Sequence, residues 1–324
     1  MSRVILAGAS GYLGQHVACE LARRGHSLLL PMRTAGVMPE PAHPTQQTIE
    51  PLVIDFRDRA ALTKHFQRFA PDAIVSCISS RHGGIRDAWR VDYEANRNLL
   101  HAALTSGLKH FTLLSAICVQ KPLLAFQHAK LKFEQELIAS GLKHSIVRPT
   151  AFFKSLSGQV NRVKSGKAFF LFGDGQLTRC KPIAEQDLAS YMCNTLEDES
   201  LQGVLPIGGP GEAISPLEQA QLLFDCAKKP LRLRRIPAAV PKQISRLLAV
   251  PGRWSSSWRD KAEFARIAHY YATESMLLWD EQHQRYDAEA TPSFGSNLLQ
   301  DSYRRQLAGA DSQELGAQAV FSRP

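Results

Sequence analysis

Three glycines at a fixed spacing, Gly8, Gly11 and Gly14, are the first residues in this 324-residue chain whose pattern could do chemistry. A diphosphate needs a backbone it can approach with no Cβ in the way, and unpaired N–H groups at a positive helix end to receive it. Gly8 and Gly11 offer that approach, Gly14 offers close packing of a helix on a strand, and Ser10 and Tyr12 stand in the same turn. Arg33 follows roughly two dozen residues past Gly8, where an acid would bind the ribose of NAD and an arginine accommodates the extra phosphate of NADP. Asp55 can meet the adenine edge or cap a following helix. Ser79 opens the polar loop Ser79-Ser80-Arg81-His82-Gly83-Gly84, and further on come Ser115, Lys130, Glu134 and the Arg148-Pro149-Thr150 turn.

Such residues act only if strands and helices bring them together. An apolar run through Val4 to Ala7 breaks at Gly8, and a helical pattern of Val17 and Leu21 then runs to Gly25. A second strand spans Ser27 to Met32, a proline-rich surface loop runs from Pro39 to Pro51, and a third strand covers Leu52 to Ile54. The fourth strand, Ala73 to Ile78, delivers the Ser79 loop. A helix over Val91 to Gly107 then buries Tyr93, Leu99, Leu100 and Ala103, with Asn96 read as solvated. The fifth strand, Phe111 to Leu114, carries Ser115 at its end, Lys130 lies on the next helix, and Ser145 to Val147 form another strand. Alternating strands and helices predict an α/β fold, a Rossmann-type doubly wound parallel sheet whose strand C-termini line a ligand crevice. The expected division is a cofactor domain over 1–150 and a smaller C-terminal substrate lobe over 151–307, interleaved with the last strands and helices of the sheet. A disordered tail over 308–324 completes it.

Composition narrows the class. Apolar content of 44% suits a globular chain, and no run approaches the roughly 18 apolar residues of a membrane span. The first strand begins at about Arg3, which leaves no room for a leader and suggests a bacterial cytoplasmic location. Six cysteines, none in C-x-x-C spacing, read as reduced thiols with no metal site. Between Lys228 and Arg266 there are eleven Lys/Arg and two acids, a surplus equal to the whole net charge of +9. There Lys242, Arg246 and Arg253 alternate with Ile244, Leu247 and Leu248, and Trp254 and Trp258 stand one helical turn apart. A basic amphipathic stretch of this kind fits a peripheral membrane surface or an acidic partner, or a solvated helix with one buried stripe. No nucleic-acid module accompanies the charge. Phe152, Phe153, Phe169, Phe170 and Phe172 supply apolar surface for a core or for a flat ligand, and Asp187, on a helix beginning near Glu185, reads as structural.

The order of strand-end serine, helix lysine, acid and Arg-Pro resembles the short-chain dehydrogenase/reductase superfamily in its atypical branch. The segments Leu114-Ser115-Ala116-Ile117-Cys118-Val119-Gln120-Lys121-Pro122-Leu123, Phe126 to Glu134 and Val147 to Leu156 resemble, more narrowly, the NADPH-using divinyl chlorophyllide 8-vinyl-reductase family. Phe172 to Gly175, Cys180 to Ile183 and Leu205 to Gly211 resemble it too, and the likeness extends to about residue 300.

That resemblance implies NADPH as cofactor and a divinyl (proto)chlorophyllide as substrate, its 8-vinyl group becoming ethyl. It implies that Lys130 holds the nicotinamide ribose, that Ser115 orients the amide or a water, and that Pro149 borders the nicotinamide. The superfamily's Tyr-x-x-x-Lys pair is altered here, with Phe126 at the tyrosine position. A phenylalanine cannot protonate a carbonyl oxygen, so a ketone or nucleotide-sugar substrate fits poorly. A vinyl group conjugated to a macrocycle spreads its charge and needs orientation more than an oxygen acid. The rival reading is a catalytically inactive NADP-binding regulator or assembly factor.

Overall fold

The computed structural model describes residues 2–34, 47–81 and 83–309. Its frame is laid down by β1 (Arg3–Ala7), α1 (Tyr12–Arg23), β2 (Ser27–Met32), β3 (Ile49–Val53), α2 (Arg59–Phe69) and β4 (Ala73–Ser76). Next come α3 (Ile85–Ala88), a π-helical stretch Trp89–Ala95, α4 (Asn96–Leu104), β5 (His110–Leu114), α5 (Ala125–Ala139) and β6 (Lys143–Pro149). The second half runs α6 (Phe153–Leu156), α7 (Val160–Lys164), β7 (Phe169–Phe172), α8 (Glu185–Asn194), β8 (Gly203–Ile207), α9 (Pro216–Cys226) and β9 (Leu233–Ile236). It closes with α10 (Val240–Ala249), α11 (Ser256–Thr273), β10 (Leu278–Asp280), β11 (Arg285–Asp287) and α12 (Leu299–Ala308).

Seven of these strands form one sheet of order β3-β2-β1-β4-β5-β6-β8, with every neighbouring pair parallel. The order reverses between β1 and β4, which opens a crevice at their C-terminal ends. Alternation decides which core each strand residue joins. Val4 and Leu6 face α1 and α8, whereas Ile5 and Ala7 face α2, α4 and α5. β8 and α8 belong to this sheet layer although they lie past residue 150. A separate core around Phe153, Phe169, Phe224 and Tyr303 joins α7, α9, β7 and α12 into a smaller lobe.

Several expectations need correcting. β3 starts at Ile49, so Pro51 lies inside a strand paired with Leu30. β3 is an edge strand, where a missing N–H breaks no ladder on the open side. Residues 39–46 of the expected loop lie outside the described residues. Helix begins at Ile85, before the expected Val91, because a π-helical stretch joins α3 to α4. Asn96 is buried, not solvated: its Nδ2 donates to the Asp92 carbonyl (3.0 Å), and its Oδ1 accepts from Ser76 Oγ. Trp254 precedes α11, so it does not share a helix with Trp258. Ala308 ends α12 with Gly309 as its cap, and the rest of the expected tail, 310–324, lies outside the described residues. No helix among the described residues is long and apolar enough to cross a membrane.

Candidate cofactor and active site

The glycine turn between β1 and α1 is built by close approach. Gly8 has φ +88°, and a Cβ there would stand 2.8 Å from the Cys77 carbonyl carbon. A Cβ on Gly14 would lie 2.0 Å from the Gly8 oxygen, so only glycine lets α1 start against the turn. Gly11 has φ −79° and caps α1 through its backbone, with its N–H donating to the Gly8 oxygen (2.9 Å). No side-chain hydrogen bond caps α1. Its first turn therefore lies at the positive end of the helix dipole, beside open space.

That open space is a cavity of about 1220 Å³. Of the residues expected to hold a cofactor, Gly8, Ser10, Gly11, Tyr12, Gly14, Arg33, Asp55 and Ser79 line it, whereas Ser115, Lys130 and Pro149 do not. The glycine cradle, the uncapped helix and the volume fit the diphosphate and adenosine parts of a dinucleotide. Asp55 does not cap α2. Asp58 does, accepting from Ala61 N–H at 2.9 Å, while Asp55 pairs with Arg57 at 2.6 Å. That guanidinium holds the Asp55 carboxyl down at about 2, so it stays ionised.

Sequence reasoning missed several lining residues. Arg57, Arg81 and Arg90 add positive charge, and Phe152 adds an apolar wall. Lys154 also lines the cavity, its ammonium 3.8 Å from the centroid of the Tyr12 ring and its backbone N–H on Glu185 Oε1 (2.9 Å). Burial pushes the Glu185 carboxyl up. The only signal for Lys154 in the sequence is its place four residues after Thr150. Of the five phenylalanines, Phe153 and Phe169 are core, and Phe152 lines the cavity.

The residues expected at the reactive end fall into two buried polar clusters. Ser115, at the end of β5, donates its hydroxyl proton to Glu134, which also receives Arg148. Lys130 turns elsewhere: its ammonium is 3.0 Å from Asp92 Oδ1, and Asp92 also accepts from Ser79 Oγ (3.0 Å) and Ser80 N–H (3.3 Å). No hydrogen bond joins Ser115 to Lys130 among the described residues. Pro149 is buried at the end of β6, opposite Ile207 of β8. Phe126 sits in the first turn of α5, whose start is fixed by Gln127: its Oε1 accepts from Leu123 and Leu124 N–H and its Nε2 donates to the Cys118 carbonyl (3.1 Å). The Phe126 ring packs beside Ile117, Cys118, Tyr270 and Ile267. α11 covers this end: a Cβ on Gly83 would meet Ile267 and Phe126, and one on Gly84 would meet Asp260. Tyr270 ties the helix down by donating to the Cys118 (2.9 Å) and Lys121 (3.1 Å) carbonyls.

All six cysteines are free, and no cluster of three His, Cys, Asp or Glu residues suited to a metal occurs among the described residues. Cys77 lines the cavity, but burial pushes its thiol up to about 12, which leaves it a poor nucleophile.

Residues 8–199 match the family described as NAD(P)H-binding. A chloroplastic divinyl chlorophyllide a 8-vinyl-reductase of Zea mays is 43% identical over 98% of this chain and 82% of its own length. The same enzyme of Cucumis sativus is 43% identical over 99% of this chain and 80% of its own. The chain belongs to the divinyl chlorophyllide a 8-vinyl-reductase family. Among solved structures, UDP-glucose 4-epimerase of Thermotoga maritima superposes with a TM-score of 0.66 at 13% identity, covering 94% of this chain and 97% of that one. At that identity the likeness speaks for the fold alone. In this member of the vinyl-reductase family, the helix turn that precedes Lys130 presents a benzyl ring and no O–H acid.

Proposed function

We propose that this chain uses NADPH to reduce the 8-vinyl group of divinyl (proto)chlorophyllide to ethyl. The observation that carries the reading is the 43% identity, sustained over 98% of the chain, to a protein named for that reaction. NADPH held by the residues lining the cavity would supply the hydride for the terminal vinyl carbon, and a proton would complete the ethyl group. The residues present suit that chemistry. General acid catalysis is worth roughly 10²–10⁴-fold in rate, and a ketone at this site would forgo it because Phe126 has no proton to give. A conjugated alkene spreads the new charge over many atoms and tolerates the loss.

Lys130 keeps two N–H donors after Asp92 takes one, enough to hold both hydroxyls of the nicotinamide ribose. Ser115 gives its proton to Glu134, so its oxygen acts as an acceptor and orients the carboxamide or a water. Pro149 closes the crevice beside them. Arg33, with Arg57 and Arg81 nearby in the lining, favours the extra phosphate of NADPH.

The test is to incubate purified protein with a divinyl pigment and NADPH and to follow the absorbance shift that marks loss of the vinyl group. A folded protein that binds NADPH and leaves the vinyl group intact would overturn the proposal and favour an NADP-binding regulator.

We infer in addition that α10 and the start of α11 rest on an anionic lipid surface, in a peripheral position at the photosynthetic membrane. Leu247 is 73% and Trp254 82% exposed, and Ile244, Val250 and Trp258 are exposed with them. Around them stand Lys242, Arg246, Arg259 and Lys261, all exposed, and between 228 and 266 the one exposed acid is Asp260. Apolar anchors inside a basic rim complement a lipid interface.

A further inference from the structure

The cavity beside the glycine turn is lined as far as Cys77, Leu114 and Phe152, and Phe126, Ser115 and Lys130 are not part of its lining. Over Phe126 lies α11. A Cβ on Gly83 would stand 2.7 Å from Ile267 Cδ1 and 3.7 Å from Phe126 Cδ1, so the isoleucine is seated on the glycine backbone beside that ring. Carbon surfaces in contact stand about 3.5–4.0 Å apart, and a flat ring between two of them needs twice that gap. No macrocycle fits between Ile267 and the Gly83 backbone while α11 keeps this position.

α11 is attached along one strip. Glu263 Oε1 accepts from Ala125 N–H (3.0 Å), Arg266 donates to the Leu123 carbonyl (2.7 Å), and Tyr270 donates to the Cys118 and Lys121 carbonyls. All four partners lie within 118–125, just ahead of Phe126. Among the described residues, α10 and positions 256–262 of α11 hydrogen-bond only within 237–273, as Arg259 Nε does to the Gly252 carbonyl (3.3 Å). The near end of α11 merely rests on the glycine loop, where a Cβ on Gly84 would lie 3.0 Å from Asp260 Oδ1. Segments tied to the rest by few bonds are the ones that open locally. α11 can therefore turn about the 118–125 strip without disturbing the sheet.

We propose that α11 is the movable wall of the pigment site: it swings off Gly83 and Phe126, and the macrocycle is held between that floor and its inner face, with Ile267 foremost. This rests on the reading of the chain as a reductase of divinyl (proto)chlorophyllide. Both walls are apolar, as the face of a tetrapyrrole requires. Gly83, at φ +64°, carries no side chain to interrupt the floor. Phe126 stands one turn before Lys130 on α5, so a ring lying there points its edge toward the nicotinamide end.

The experiment locks α11 down with the double variant G84C/D260C. Gly84 has φ −58°, open to any residue, and a Cβ there would stand 3.2 Å from Asp260 Cγ, the place a sulfur would take, within reach of a disulfide. Loss of two free thiols confirms the bond, and the parent treated with the same oxidant controls for its own six cysteines. Binding of divinyl protochlorophyllide to the NADP⁺-loaded protein is followed by pigment fluorescence. The oxidised form should bind pigment about tenfold or more weakly than its own reduced form and NADPH within about twofold, with dithiothreitol reversing the loss. The inference is overturned if oxidised and reduced forms bind pigment alike, or if NADPH weakens by the same factor. A parent that binds pigment without reducing it removes the reductase reading and leaves this binding comparison to decide the inference; a parent that binds no pigment removes both. Should the cysteine pair not close, hydrogen exchange on the parent decides. Pigment should change the exchange of α11 amides by about threefold or more and leave those of α1 as they were, and α11 amides that exchange alike with and without pigment overturn the inference.

Discussion

Replacing Gly14 by alanine tests the phosphate turn at its tightest point. The added Cβ would lie 2.0 Å from the Gly8 oxygen and 2.8 Å from the Gly8 carbon. The first is about 1 Å inside any tolerable contact, and both neighbours are backbone, so no side chain can swing away. Either α1 must move off the turn or the turn must open. The first loosens the contact of α1 with α8 and the sheet; the second spoils the 2.9 Å bond from Gly11 N–H to the Gly8 oxygen. Overpacking costs roughly 1–3 kcal/mol, which lowers the melting temperature of a chain this size by a few degrees. Displacing the N–H groups that receive the diphosphate should cost about tenfold or more in cofactor affinity, the worth of a charge-assisted hydrogen bond. Gly11→Ala is the internal control. Its φ is −79°, and its Cβ would meet the Gly8 oxygen at 3.2 Å, so a few tenths of an ångström relieve it. Thermal melts and NADPH titrations of the two variants decide the matter. If Gly14→Ala melts and binds like the parent, or if Gly11→Ala is the worse of the two, close approach of α1 to the turn is not what the third glycine provides.

Arg33→Ala should raise the KM for NADPH by roughly ten- to a hundredfold, the worth of a charge-assisted phosphate contact, and leave the KM for NADH unchanged. Equal effects on the two cofactors would place the extra phosphate elsewhere. Burial, with Lys143 and His144 adding to it, holds His110 down at about 4, and its Nε2 lies 2.9 Å from Ser145 Oγ. The folded state keeps it neutral and the unfolded chain protonates it near 6.5, so its stabilising share is complete above about pH 6.5 and is lost as pH falls toward 4. By pH 5 the loss is roughly 2 kcal/mol, and His110→Gln should show a flatter dependence of melting temperature on pH; a dependence as steep as the parent's would exonerate His110. Binding to anionic vesicles should weaken with salt, since surface attraction is screened over about 10 Å at 0.1 M, and should fall further in the K242E/R246E double variant. Equal partitioning at low and high salt would remove the electrostatic part, and capture by an acidic protein with no vesicle binding would give the patch a different occupant.

Where a feature depends on a few neighbouring residues, the amino-acid sequence alone makes it legible. The turn from β1 into α1 follows from three glycines and an apolar run, because the required backbone shape is local. The start of α9, Pro216–Cys226, is likewise a local matter: Pro216 opens it, and Ser215 and Glu218 close its capping box. Helix and strand order along 1–150 implies the parallel sheet, since alternation and a 3.6 period are properties of the chain alone.

Tertiary structure decided everything that required a partner distant in sequence. Asn96 and Asp92 look like ordinary polar residues of a surface helix until the π-helical stretch turns them into the sheet beneath Ser76, Ser79 and Lys130. Ser115 reads as an open strand-end hydroxyl, yet Glu134, nineteen residues on, takes its proton. Lys154 gains its meaning from Tyr12, far away in the sequence. Local backbone preference acts over a handful of residues, whereas the partner of a buried charge is chosen by which elements the sheet brings side by side. The sequence therefore determined that a dinucleotide turn and a helix lysine exist, and only packing determined what each buried polar group holds.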